Sequence, residues 1–222
     1  MKRLFKPLLL TATLAVVFAV APAVQADPLA IGGNIAGPSN TTFQGGTLIA
    51  SNSVAVNSLT FTGTANSAVY RNAAGTLDFY YQFTNNGPAD IGRLSFFNFD
   101  GFTTDVFNVT NGSAIGAGFV NGTVDSFIAD RGSNPAANAV GFDYAAGAFV
   151  GGTTSLALLV RTNATAFMPG TFSVINGSTS TTASFAPAAG AAPIPEPATM
   201  ILLGTGLASL AGAARRRMKK DE

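Results

Sequence analysis

A chain of 222 residues without cysteine or histidine has no thiolate or imidazole for a zinc site, and it lacks the base that most nucleophilic triads and dyads use. The formal net charge of +1 hides an uneven distribution, because between Asp27 and Ala192 four arginines stand against eight aspartates, leaving −4. Nothing there would attract nucleic acid, and the segment is long enough to bury a core without disulfides.

Residues 1 to 26 have the three parts of a secretory signal peptide. Lys2, Arg3 and Lys6 precede an apolar run of 13 residues from Leu8 to Val20. As a helix that run reaches only ~20 Å against a hydrocarbon core of roughly 30 Å, too short for a stable span. Small residues at Val24 and Ala26 predict cleavage between Ala26 and Asp27, with Ala21-Pro22-Ala23 as the alternative. Passage through the Sec translocon and removal by signal peptidase are the expected first steps.

From residue 27 onward the apolar period is two. Leu77, Phe79, Tyr81 and Phe83 fall on one face of a strand, with Asp78, Tyr80, Gln82 and Thr84 on the other, which predicts a half-buried strand. Similar runs lie at Val54 to Phe61, Ile91 to Phe99, Phe102 to Val109, Val124 to Ala129, Ala139 to Tyr144, Ser155 to Thr162 and Gly170 to Ile175. Turn signals separate them at Asn85-Asn86-Gly87-Pro88, Asn111-Gly112, Asn121-Gly122, Gly151-Gly152 and Asn176-Gly177. The expected fold is all-β, an antiparallel β-sandwich of jelly-roll or Ig-like type over residues 27–177, with a barrel as the competitor. Residues 178–194 read as a last strand near Thr182 to Phe185 and a flexible spacer.

Candidate chemistry within this domain is sparse. Asp100, Asp105, Asp125, Asp130 and Asp143 are the acids of its latter half. Calcium binding or an acid/base pair would require some of them to converge, but no D-x-D-x-D-G run is present. Turn and surface roles are expected, with Asp130 paired to an arginine. Asn40, Asn108, Asn111, Asn121, Asn163 and Asn176 each begin an Asn-x-Ser/Thr sequon. Tyr80, facing outward, is the candidate for stacking on a sugar ring. No metal and no cofactor is expected.

The chain closes with Pro193-Ile194-Pro195-Glu196-Pro197, an apolar segment over 198–214, and the basic cluster Arg215, Arg216, Arg217, Lys219 and Lys220. Seventeen residues of helix reach ~26 Å, a marginal transmembrane span, and the cations hold the tail in the cytoplasm. Proline on either side of Glu196 keeps this tripeptide out of the helix and extended at the outer membrane face. A plain C-terminal membrane anchor is the alternative reading of this end.

Motif, short span and basic stop together resemble the PEP-CTERM sorting signal (195–222). The strings Val69-Tyr70-Arg71-Asn72, Gly75 to Phe83 and Gly101 to Val106 resemble an ectodomain type, without assigned chemistry, found with such signals. The resemblance implies a Gram-negative, exopolysaccharide-making bacterium and the membrane protease exosortase as processing partner, cutting at or near Pro195-Glu196-Pro197. It implies transient inner-membrane anchoring followed by display at the cell surface or release. The expected role is a non-enzymatic structural or adhesive component of the extracellular matrix or biofilm, binding exopolysaccharide or itself. A lectin-like carbohydrate-binding module is the alternative, and a hydrolase comes third.

Overall fold

The computed structural model describes residues 27–133 and 139–190. Thirteen strands are found among them. In chain order these are β1 (Asn34–Ala36), β2 (Asn40–Thr41), β3 (Thr47–Asn57), β4 (Phe61–Arg71), β5 (Leu77–Pro88), β6 (Arg93–Phe96) and β7 (Thr104–Val109). After a 3-10 turn at Gly112–Ile115 come β8 (Ile128–Arg131), β9 (Val140–Asp143), β10 (Thr153–Thr154), β11 (Ala157–Thr162), β12 (Ala166–Ile175) and β13 (Thr179–Ala188). The described domain is all-β, as its period-two patterning predicts.

The strands form two sheets. One runs β1-β8-β9-β6-β12-β13, and the other runs β2-β7-β11-β5-β4-β3 with β10 also on β5. The strand pairings are antiparallel except for the short parallel pair of β2 with β7. Phe79, Tyr81 and Phe83 of β5 share one apolar cluster with Leu94 and Phe96 of β6 and Phe172 and Val174 of β12. Tyr81 stacks on Phe96 with ring centroids 3.8 Å apart, and Phe172 meets both rings edge-on. Alternation along β5 therefore aims its large aromatic rings at the second sheet, and their burial supplies the main drive to hold the sheets together.

Several boundaries differ from expectation for local reasons. The run from Val54 to Phe61 is the end of β3, a turn closed by Ser58 N–H on the Phe61 carbonyl at 2.9 Å, and the start of β4. Asn85 to Pro88 continues β5 rather than forming a turn; the Asn85 side chain accepts from Gly87 N–H at 2.8 Å and donates to the Ala89 and Phe149 carbonyls. In the run from Val124 to Ala129, Val124 makes only an isolated bridge to Ser155, and pairing resumes at Ile128. The last strand extends well beyond Thr182 to Phe185, pairing with β12 at ten positions. Asn176-Gly177 does make the hairpin between them, with Gly177 at φ +94°.

Candidate functional site

Three places collect the chemistry-bearing side chains. The first is the face of β5 turned away from the second sheet. Asp78, Tyr80 and Gln82 do lie on it, but this face is covered and Tyr80 is 0 % exposed. Tyr70, Phe107 and Leu159 from neighbouring strands join Tyr80 in a second apolar cluster, capped by Ile115 and Phe119 from the segment after β7 and by Phe43. Phe43 meets Tyr80 edge-on at 5.6 Å, and the Tyr70 hydroxyl donates to the Ile115 carbonyl. The expectation of an outward Tyr80 available to a sugar ring is thus corrected, because an aromatic and aliphatic patch of this size is stable only when covered. Burial pushes the Tyr80 hydroxyl far above its ordinary range. The half-buried reading of β5 falls with it. The missed signal was that Tyr70, Phe107 and Leu159 sit on neighbouring strands in register to share that face.

Beside Tyr80, Arg161 of β11 is paired in register with Asp78 of β5 on one side and Asp105 of β7 on the other. Its guanidinium donates to the fully buried Asp78 carboxylate at 3.2 and 3.3 Å and lies over the Phe107 ring at 5.7 Å. Asn72 Nδ2 donates to the same carboxylate at 2.9 Å. Burial raises the Asp105 carboxyl above its usual range, opposed by Arg161 and reinforced by Asp27 and Asp78.

The second place is the outer face of the other sheet. Arg93 of β6 donates to both oxygens of Asp130, at 2.5 and 2.6 Å, and to Asp143 at 2.8 Å. Asp130 is thus paired to an arginine, and it converges with Asp143. The convergence is on a guanidinium, which already supplies the positive charge that a cation would bring. Asp130 and Asp143 in turn hold the Arg93 guanidinium above its ordinary range against its partial burial. Gly141 of β9 lies beneath, where a Cβ would stand 1.9 Å from Arg93 Nη2. Among the described residues no three acidic side chains come together to hold a metal ion. Asp100 lies elsewhere, beside a shallow depression of about 480 Å³ with Phe102 and Met168.

The third place is the expected cleavage point. Asp27 and Leu29 join β7 directly, with Val106 N–H on the Asp27 carbonyl at 3.1 Å and Leu29 N–H on the Thr104 carbonyl at 2.8 Å. The Asp27 carboxylate also accepts from Ser39 N–H at 2.5 Å. Ala26 and the rest of the leader lie outside the described residues, as do Pro195, Glu196, Pro197, the expected span over 198–214 and the basic cluster Arg215, Arg216, Arg217, Lys219 and Lys220.

Five of the six sequon asparagines use their side-chain oxygens as acceptors for groups of the same domain. Asn111 receives Phe43 N–H, Asn121 receives Ser113 N–H and Asn163 receives Thr103 N–H. Asn176 receives the Thr60 hydroxyl, and Asn108, 2 % exposed, receives the Ser126 hydroxyl. Asn108 cannot carry a glycan in the folded domain. The asparagines serve mainly to hold loops together, as turn chemistry favours.

A family model described as the PEP-CTERM protein-sorting motif matches residues 193–217. The chain therefore carries that motif, which implies exosortase as a processing partner and a sorting route to the cell surface or beyond. No curated protein and no solved structure gives a significant match.

Proposed function

We propose that this protein is a non-enzymatic structural or adhesive component of an extracellular polysaccharide matrix, exported by a cleaved leader and released from the inner membrane by exosortase. The observation that carries the reading is the sorting motif at 193–217, only a few residues beyond the last strand. The two facing sheets are read as one β-sandwich, the robust kind of body a matrix protein needs. Acids that converge do so on arginines rather than on each other, which supports the absence of an acid/base pair. Between residues 27 and 192 there is no Lys and no Glu, and only 12 side chains are charged. Such a surface has little repulsion to keep copies apart or to oppose a polysaccharide. The lectin-like alternative loses its candidate residue with the burial of Tyr80.

The test is Glu196→Ala in a host with exosortase. Export and folding should continue, because Glu196 lies beyond the last strand, but a longer species should accumulate in the membrane fraction. Release at the unaltered size and amount would overturn the sorting reading.

A further inference from the structure

The first described residues are tied to β7 on the side where β2 also pairs with it. Val106 N–H donates to the Asp27 carbonyl at 3.1 Å and Leu29 N–H to the Thr104 carbonyl at 2.8 Å, with Pro28 opposite Asp105 in an antiparallel bridge. The Thr104 hydroxyl donates to the Leu29 carbonyl at 2.9 Å, and the Asp27 carboxylate accepts from Ser39 N–H. In an antiparallel ladder the N–H and C=O of one residue face the same neighbour. Because Val106 N–H meets the Asp27 carbonyl, the Val106 carbonyl is turned toward the Asp27 nitrogen.

The charge around that nitrogen is mainly negative. Asp105 is half-buried, and burial raises its carboxyl, with Arg161 opposing and Asp27 and Asp78 adding to the rise. Arg161 is already committed to the Asp78 carboxylate at 3.2 and 3.3 Å. Arg131 approaches β7 on its other face, where it donates to the Thr104 hydroxyl and to the Phe99 carbonyl. The Asp27 carboxylate stands beside its own nitrogen in the folded and the unfolded chain alike. Asp105 and the Val106 carbonyl are therefore what distinguish the folded surroundings of that nitrogen.

We propose that removal of the leader is a maturation step that stabilises the folded domain, because the cut before Asp27 turns a neutral amide nitrogen into an α-ammonium that donates to the Val106 carbonyl and offsets part of the Asp105 charge. Hydrolysis breaks the Ala26–Asp27 C–N bond. Water supplies the hydroxyl of the new Ala26 carboxyl and one proton on nitrogen, and the carboxyl's own proton passes to the amine. The precursor keeps an N–H at this position but not the charge. An α-amine has an ordinary pKa of about 7.7–8.0, and these surroundings raise it in the folded chain. Its contribution is then present below the unfolded value and is lost as pH rises through the raised one. The inference rests on the leader reading within the proposed function and is independent of the sorting step.

No lysine lies between Asp27 and the basic tail, so the α-amine is the only amine of a released chain. Acetylating it keeps an N–H to donate and removes the charge, as in the precursor. The chain is exported from a host with exosortase, acetylated, and weighed by mass spectrometry, which reads its first residue and its acetyl count. A chain still held in the membrane takes further acetyls at Lys219 and Lys220, so failure of the sorting reading shows in the mass and leaves the comparison intact. At pH 7 acetylation should lower Tm by about 1–3 °C, the scale of one partly screened charge contact in a domain of this size. The drop should disappear near pH 10, where about all of the free amine is neutral. In Asp105→Asn, which keeps the shape of the side chain, it should shrink by at least about half. A chain that starts elsewhere than Asp27, a Tm unchanged or raised by acetylation, a drop that persists near pH 10, or an equal drop in Asp105→Asn would each overturn the proposal.

Discussion

Arg93 lies flat across Gly141, and the absence of a side chain there lets its guanidinium reach Asp130 and Asp143 together. Gly141→Ala should displace it and lower stability by about 1–3 kcal/mol, the usual range for overpacking a filled site. In an Arg93→Ala background the same change should cost much less, so a double-mutant cycle by denaturant unfolding checks the contact. Asp105 offers a test with the opposite sign. Its carboxyl holds a proton more tightly in the folded than in the unfolded chain, chiefly through burial. A raised folded pKa on an acid means that its favourable contribution is present at low pH and is lost as pH rises through the raised value. Asp105→Asn should therefore raise Tm at pH 7, and the gain should shrink below about pH 4, where aspartate is protonated in either state. A variant with unchanged Tm at pH 7 would show that Arg161 fully offsets the burial.

At the level of strands, Tyr81 joins the sheets twice, through its stacked ring on Phe96 and through its hydroxyl, which donates to the Phe185 carbonyl of β13 at 2.6 Å. Phe96→Ala should cost about 3–5 kcal/mol and Tyr81→Phe only about 1 kcal/mol, since one empties core volume and the other removes a single hydrogen bond. Thermal or denaturant unfolding separates the two. The rings that make this contact were legible in the sequence because large apolar residues alternate without interruption from Leu77 to Phe83. Parts of β7, β11 and β12 were legible for the same reason. β4 was not, because Thr62 to Ser67 is small and polar, and its burial comes from being paired on both sides by β3 and β5. β1, β2 and β10 are too short for any period to show. Tyr80 was misplaced because alternation tells which face a residue takes but not whether a distant segment, here Phe43 and residues 112–119, will cover that face. Asp130 was read as an arginine's partner from its turn context, whereas the approach of Asp143 depends on β8 and β6 both pairing with β9.

For the molecule as a whole, the position of β13 matters most. The strand is the partner of β12 over ten positions, and its Ala186 is completely buried, so the domain is not finished until Ala188 is in place. The sorting-motif match begins at 193. Seven residue steps separate Ala188 from Pro195, a reach of at most ~25 Å even when fully extended. Deleting residues 191–193 should cut the amount released several-fold without altering the thermal unfolding of the domain, while inserting a Gly-Ser stretch at the same place should leave release intact. Quantitative blotting of medium and membrane fractions reads both, and equal release from the shortened chain would show that reach is not limiting. On the proposed sorting route, the short stretch between Ala188 and Pro195 would bring the completed domain close to the lipid surface, and the bulk of the domain would then join the tripeptide in setting which enzymes reach the bond.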